Sequence, residues 1–395
     1  MLRACLLLTV VCSGALTLAA EQSLLVLPTS GAAYSAAIIS ADDKQVSLRT
    51  ANATKQVAWQ DLVRLGNFVE PAHGPLWLVG NGGQLVADVE SLADDKLSGI
   101  SPVLGTVAVP LAQLHGWTRT LPADLTERDR LTRQLTQGTG DTDTIILANG
   151  DRLTGTLEAI SAEKLTLDTP QGAQSVELDR VAAVRLNPSL TDFVPLPPRY
   201  WIVGLRNGTR LVATSIKLAD GKLQFETPFG KLACAADELT ALQPFVEQAR
   251  FLSDLKPTSF KHLPYLQLAW PLQTDANVLG QPLRVTDAVY LKGLGMHTAA
   301  RVSYALDKPY RQFQAELAID DSAGGNGSAA CSVFVDDGSG KWQSRYTSPI
   351  IRGGMPPVPV RVDLTGAKAI SLLADFADNA DILDHVNWLD ARLVE

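Results

Sequence analysis

The feature that most constrains the fold of this chain is an internal repeat. Leu147-Ala-Asn149-Gly150-Asp-Arg-Leu153 returns as Leu205-Arg-Asn207-Gly208-Thr-Arg-Leu211, a shift of 58 residues. The same shift places Lys164-Leu165 on Lys222-Leu223, Thr169-Pro170 on Thr227-Pro228 and Gly172 on Gly230. An earlier copy carries Asn81-Gly82, Leu85, Lys96-Leu97 and Pro102 at a shift of 68 residues, and a weaker one runs from Ser30-Gly31 through Lys44 to Leu65. Fixed-period self-similarity means one supersecondary unit used several times. Within the third copy Leu165 and Leu167, then Val176 and Leu178, alternate with polar residues, the pattern of half-buried strands. Asn-Gly suits the tight turns between them, because both residues tolerate positive φ. Each unit therefore reads as a small β-barrel or a curled antiparallel sheet of roughly 40 residues, weakly similar to SH3-like or Sm-like barrels. Two units are expected to pack face to face, since one hairpin set is too small to be stable alone.

Around the repeats the seams are readable. Met1 to Ala20 has Arg3, an apolar run from Ala4 to Val11 and a small-residue end, the pattern of a secretory signal rather than a span of about 20 apolar residues. A retained anchor is the alternative. A lipoprotein site at Cys12 is disfavoured by the bulk of Val11. Repeats one and two are assigned to 21–121 and repeats three and four to 144–250. Between them 122–143 forms a linker with a short helix on Leu125, Leu131 and Leu135. Cys5 and Cys12 leave with the signal. Cys234 and Cys331 then read as buried small hydrophobes rather than a disulfide framework.

Composition narrows the function. The chain is 46% apolar with 34 Lys+Arg against 42 Asp+Glu, which excludes general disorder and argues against a nucleic-acid partner. No segment after the signal is long and apolar enough for a transmembrane span. The five histidines are widely separated, and the short motifs of metal ligation, nucleophile elbows and phosphate loops are missing. The seven tryptophans are spread along the chain and offer either stacking faces for a sugar or filling for a core.

From about Lys256 the pattern changes. Val302, Tyr304 and Leu306 alternate, as do Phe313, Ala315, Leu317 and Ile319, then Cys331, Val333 and Val335, then Val358, Val360, Val362 and Leu364. Short strands between Gly, Asp and Pro turns indicate an antiparallel β-sandwich or jelly roll. The fold class is all-β: repeated small units followed by a C-terminal sandwich over 256–395.

Specific wording accompanies that pattern. Lys292-Gly293-Leu-Gly295-Met-His297-Thr-Ala precedes Val302, and Ala318-Ile-Asp320-Asp321 leads into a Gly-rich loop. Val333-Phe-Val335-Asp-Asp337-Gly338 follows, then Val362-Asp-Leu-Thr-Gly366 and Asp384-His385-Val-Asn-Trp388-Leu-Asp390-Ala-Arg392-Leu393. In that order the blocks resemble the NPCBM domain, a carbohydrate-binding module associated with glycoside hydrolase family 98. The resemblance covers Lys256 to Glu395 and does not extend to the repeats. It implies a galactose-binding-like jelly roll that binds terminal sugars and often accompanies a glycosidase.

The residues themselves suit a sugar, which needs an aromatic face for its C–H patch and carboxylates, amides or imidazoles for its hydroxyls. His297, Arg301, Trp342, Tyr346, Asp384, His385 and Trp388 are the candidates. Trp388 also reads as a core residue, His297 as a brace for the Gly293/Gly295 turn, and Asp384 and His385 as a strand-edge clamp. The ladder Asp375, Asp378, Asp381 and Asp384 joins Asp320 and Asp321 in offering hard oxygen ligands. A structural Ca²⁺ held by Asp320, Asp321, Asp378 and Asp381 stands beside the reading of a solvated acidic loop. The expected function is a secreted, periplasmic or envelope protein that binds glycans without catalysis, its repeats touching another envelope protein. An envelope interaction protein without a sugar site and a glycoside hydrolase are the alternatives.

Overall fold

The computed structural model describes residues 23–72, 74–246 and 249–395, so the signal assigned to 1–20 lies outside them. The first of four related units shows why the repeat folds as it does. Strands Ser23–Pro28, Tyr34–Ala41, Gln45–Arg49 and Thr54–Ala58 are followed by a 3-10 turn, Trp59–Asp61, and the strand Leu62–Gly66. The first strand pairs with both the second and the last, which curls the sheet. The third unit repeats the order with Asp143–Leu147, Arg152–Ile160, Lys164–Thr169, Gly172–Glu177 and Val181–Arg185. In the second and fourth units the long second strand is broken, into Gly83–Leu85 with Asp88–Ala93 and into Arg210–Ala213 with Ser215–Ala219. Between the second and third units lies the helix Leu125–Thr136, whose N-terminus is capped by Asp124 accepting from the Glu127 amide at 2.9 Å.

The curled-sheet form is the one adopted. The fourth strand of each unit (Thr54–Ala58, Gly105–Pro110, Gly172–Glu177, Gly230–Ala235) pairs on one side with the third strand, and all four units run into one 22-stranded sheet. Where face-to-face packing was expected, the units also join edge to edge through their last strands. Leu65 and Gly66 pair with Leu242 and Ala241, and Gly116 to Thr118 pair with Arg185 to Ala183. Glycine is required at both crossings. A Cβ on Gly66 would lie 1.9 Å from the Thr240 carbonyl oxygen, and one on Gly116 2.1 Å from that of Val184. The inner faces of all four units then merge into one apolar core around Trp59, Trp77, Trp117 and Trp201, each no more than 1% exposed.

The C-terminal third is a two-sheet sandwich. One sheet orders Gln273–Thr274, Gly293–His297, His385–Val394, Gln312–Ile319 and Val358–Asp363, with Ala249–Phe251 on its edge. The other orders Ser259–His262, Ala300–Ala305, Ala369–Phe376, Ser328–Asp336 and Gln343–Thr347. Alternation predicts one solvated face for a strand such as His385–Val394, yet all ten of its residues are buried. The reason is that the repeats cover its outer face. Gln243 donates to Asp390 at 3.0 Å, and the Arg64 guanidinium lies 3.5 Å from Glu316, 3.9 Å from Asp390 and 4.3 Å above the Tyr290 ring. On the same side Arg284 forms a two-pronged bond to Asp129 of the helix, 2.7 Å at each nitrogen, and a third at 2.8 Å to Glu70. Phe68 and Val289 form a single bridge between the two parts and pack with Ala241.

A buried ion pair that loses one partner leaves an uncompensated charge, at a cost of about 3–5 kcal/mol. Arg284→Ala is therefore expected to destabilise the whole chain by about that amount, read by chemical denaturation. A loss below ~1 kcal/mol, the value of a solvent-exposed pair, would contradict the buried clamp.

Candidate functional site

Five of the seven tryptophans (59, 77, 117, 201 and 388) are at most 1% exposed and belong to cores. This corrects Trp388 as a sugar-stacking residue. Its indole packs inside the sandwich beside Phe313, at 6.3 Å between ring centres, and presents no face to a ligand. Trp270 and Trp342 remain.

The residues around Trp270 gather where the chain crosses from one sheet to the other. His297 ends the strand Gly293–His297 and stands in register with His385 of the neighbouring strand. Thr298 and Ala299 carry the chain across, and His262 ends the strand that pairs there with Ala300. Three imidazoles are thereby brought together from distant parts of the sequence. Ring centres of His297 and His385 are 6.0 Å apart, and those of His262 and His297 5.9 Å. The Trp270 indole lies flat on His297 at 5.1 Å with 4° between planes, and is 6.4 Å from His385.

Hydrogen bonds assign the tautomers. His262 Nδ1 accepts the Trp270 amide at 3.1 Å, so its Nε2 carries the hydrogen and donates to the Thr298 carbonyl at 3.0 Å. His297 Nδ1 donates to the same carbonyl at 2.9 Å, which makes Nε2 the acceptor nitrogen of the neutral ring. The Ser322 hydroxyl lies 2.9 Å from His385 Nδ1. Beneath them Asp384 is fully buried, one oxygen accepting from the Thr298 hydroxyl and the other from the Ser328 amide, each at 2.7 Å. Burial pushes the Asp384 carboxyl up, against the pull of those two donors. Burial, reinforced by the neighbouring His297, pushes the His385 imidazole below its ordinary value, so it is neutral at pH 7.

Of the sequence candidates, His297, Asp384 and His385 come together here. Arg301, Trp342 and Tyr346 lie instead on or beside the second sheet. Arg301 is held between Phe334 and Trp342, 5.2 and 5.0 Å from the ring centres, with its Nε donating to Ser371 at 2.6 Å. Trp342 is 37% exposed, and Tyr346 is half-buried against the core.

Three of the four acids considered for Ca²⁺ have other partners. Asp320 accepts from Asn277 and Ser322 on one oxygen and from Arg284 and Asn387 on the other. Asp321 accepts from the amides of Thr286 and Asp287, and Asp378 pairs with Arg352 at 2.6 Å. Asp381 is only half-buried. No group of three or more His, Cys, Asp or Glu placed to hold a metal ion occurs among the described residues.

Residues His262 and Trp270 were not singled out from sequence. They belong to no alternating strand pattern and to none of the blocks that carry the resemblance. The available signal was the run Leu263 to Gln273, eleven residues without a charge and with a tryptophan inside.

With the geometry in hand, comparison with known proteins is specific for this part of the chain. Residues 248–394 match the NPCBM/NEW2 domain. A Renibacterium salmoninarum protein named as an endo-alpha-N-acetylgalactosaminidase is 37% identical over 115 residues, which is 29% of this chain and 7% of that protein. The chain thus spans a small fraction of this relative. Among solved structures, the CBM51 module of Clostridium perfringens GH95 in complex with methyl-galactose is 22% identical, covering 37% of this chain and 99% of that one, with a TM-score of 0.32. Tandem CBM51 modules of the family 98 glycoside hydrolase from Streptococcus pneumoniae are 13% identical over 81% of this chain and 87% of theirs, with a TM-score of 0.32. The site of three imidazoles lies within the NPCBM/NEW2 domain.

The lowered His385 value has a stability consequence. Above the ordinary histidine value of about 6.5 the folded and unfolded chains both carry a neutral ring. As pH falls below it, the unfolded chain takes up the proton first, so stability declines until the lower folded value is passed and then stays at the reduced level. The melting midpoint is expected to fall between pH 7 and pH 5, and to fall less in His385→Gln. An equal fall in both proteins would contradict this assignment.

Proposed function

We propose that this chain is an exported, non-catalytic glycan-binding protein whose sugar site is the group Trp270, His262, His297 and His385. The observation that carries this reading is the Trp270 indole, laid flat on His297 and beside His385 in the NPCBM/NEW2 domain. An indole held this way offers an apolar face for the C–H side of a sugar ring. His262 spends both ring nitrogens on Trp270 and Thr298, so Nε2 of His297 and Nε2 of His385 are the ring atoms left to address hydroxyl groups. The relative named as a glycosidase and the sugar-binding domain family both support carbohydrate as the ligand class.

The state of the acids at this site supports binding without bond cleavage. Glycoside hydrolysis uses a general acid and a second carboxylate spaced about 5–9.5 Å apart, both addressing the sugar. Here both oxygens of Asp384 and of Asp320 are already committed to internal donors. They brace the loops. The four repeats form a rigid base fixed to the sandwich by Arg64 and Arg284, and their one-sided fourth strands suit contact with another envelope protein.

The test is a glycan array probed with the whole chain. Retention on a subset of glycans is expected, with Trp270→Ala weakening it about tenfold, the equivalent of ~1.4 kcal/mol. Trp270 is partly exposed, so this variant should keep the melting behaviour of the parent. EDTA should leave retention unchanged, since three of the four acids considered for Ca²⁺, Asp320, Asp321 and Asp378, are engaged in hydrogen bonds or an ion pair. No retention on any glycan, or retention insensitive to Trp270→Ala, would sink the proposal.

A further inference from the structure

Large exposed apolar side chains are concentrated beside this site. Leu263 is 57% exposed, Tyr265 61%, Leu266 80% and Leu268 63%, all in the loop between the strands Ser259–His262 and Gln273–Thr274. Ile382 is 61% exposed and Leu383 38%, in the loop that ends at Asp384 and His385. The Tyr265 ring stands edge-on, 6.1 Å between centres, to Phe376, which ends the strand Ala369–Phe376 that leads into that second loop. The first loop is anchored at its end, with Trp270 stacked on His297 and Leu272 packed against the sandwich core. Its leucines are therefore held outward by an anchored base.

Charge selects the occupant. The eleven residues Leu263 to Gln273 contain no acid and no base, and Lys261 is exposed at the root of the loop. A leucine-rich tip with a tyrosine, a tryptophan at its base and a cation behind suits the boundary between lipid headgroups and acyl chains. The chain as a whole carries a formal charge of −8, so electrostatic attraction to an anionic bilayer does not supply the binding. What remains is apolar insertion guided by a neutral headgroup, and the polar site lies directly beside the leucines.

We infer that the ligand of this site is a glycolipid in a membrane: its sugar sits on Trp270 and the imidazoles while Leu263, Leu266, Leu268 and Ile382 enter the headgroup and acyl boundary around it. This rests on the sugar-binding reading and adds the lipid. Recognition is of the membrane surface and the sugar together. A soluble oligosaccharide bearing the same sugar engages only half of the site.

Vesicle flotation of the whole chain tests it. Three compositions are used: phosphatidylcholine alone, phosphatidylcholine with neutral glycosphingolipids headed by galactose and glucose, and phosphatidylcholine with phosphatidylserine. Binding at least about tenfold tighter to the glycolipid vesicles than to the other two is expected. The variant Leu266→Ser/Leu268→Ser is expected to lose that advantage and keep its retention on free glycans, which also reports that it folds. Free-glycan retention with no glycolipid advantage overturns this inference alone. Absence of both overturns the sugar reading as well. Equal, loop-dependent binding to all three vesicles removes the sugar, and a dimer abolished by the same variant assigns the patch to a second copy. Either result overturns the glycolipid inference.

Discussion

The strand His385–Val394 has to satisfy two neighbours at once. Its inner face closes the sandwich core with Val386, Trp388, Ala391 and Leu393, while its outer face meets the hairpin around Leu283 and Tyr290 through Leu389 and the repeats through Asp390. A strand without a solvent face has to find partners inside the protein for every polar side chain it carries. Asn387 donates to Asp320, Asp390 accepts from Gln243, and Arg392 donates to Gln314. The same strand begins with His385. The histidine that helps form the site is therefore placed by a strand locked on both sides, and the floor of the site inherits that rigidity.

The Asp320 carboxylate extends this logic to the loops. Its four acceptances tie together the turn at Asn277, the amide of Arg284, the 3-10 turn at Ser322 and the strand at Asn387. Arg284 continues from that point into the repeats through Asp129 and Glu70. One hydrogen-bonded chain thus runs from the floor of the site to the helix between the second and third units. Buried polar networks of this kind specify a single arrangement most strongly when every member is satisfied; here both Asp320 oxygens are, while the Asn387 side-chain oxygen has no partner.

What the sequence revealed depended on whether its signal was local. Alternation at Leu165 and Leu167 or at Val333 and Val335 reports the local environment of a strand, and the all-β class follows from it. The wording around His297, Asp320 and His385 marked the sandwich, and it nominated His297 and His385 as candidates without showing that they stand side by side. The edge joins at Gly66 and Gly116 were not legible, because glycine in a strand signals a close approach without naming the partner. The exposed tryptophan was missed for the opposite reason. Trp388 sits in a conspicuous strand and is buried, whereas Trp270 sits in a stretch with no periodicity and is accessible. The ion pairs of Arg64 and Arg284 link residues more than 150 positions apart, and nothing in either neighbourhood announces the other.

The covered outer face of His385–Val394 also bears on how such proteins are assembled from parts. Carbohydrate-binding modules are readily pictured as beads that recombination can move from one chain to another. Here a cut before the sandwich would bare Val289, Tyr290 and Asp390 on one side and strand the Arg64 guanidinium, 2% exposed, on the other. Each half would inherit a sticky, charged scar. Whatever its ancestry, the sandwich has become a lodger that shares a wall with its host, and it no longer travels freely.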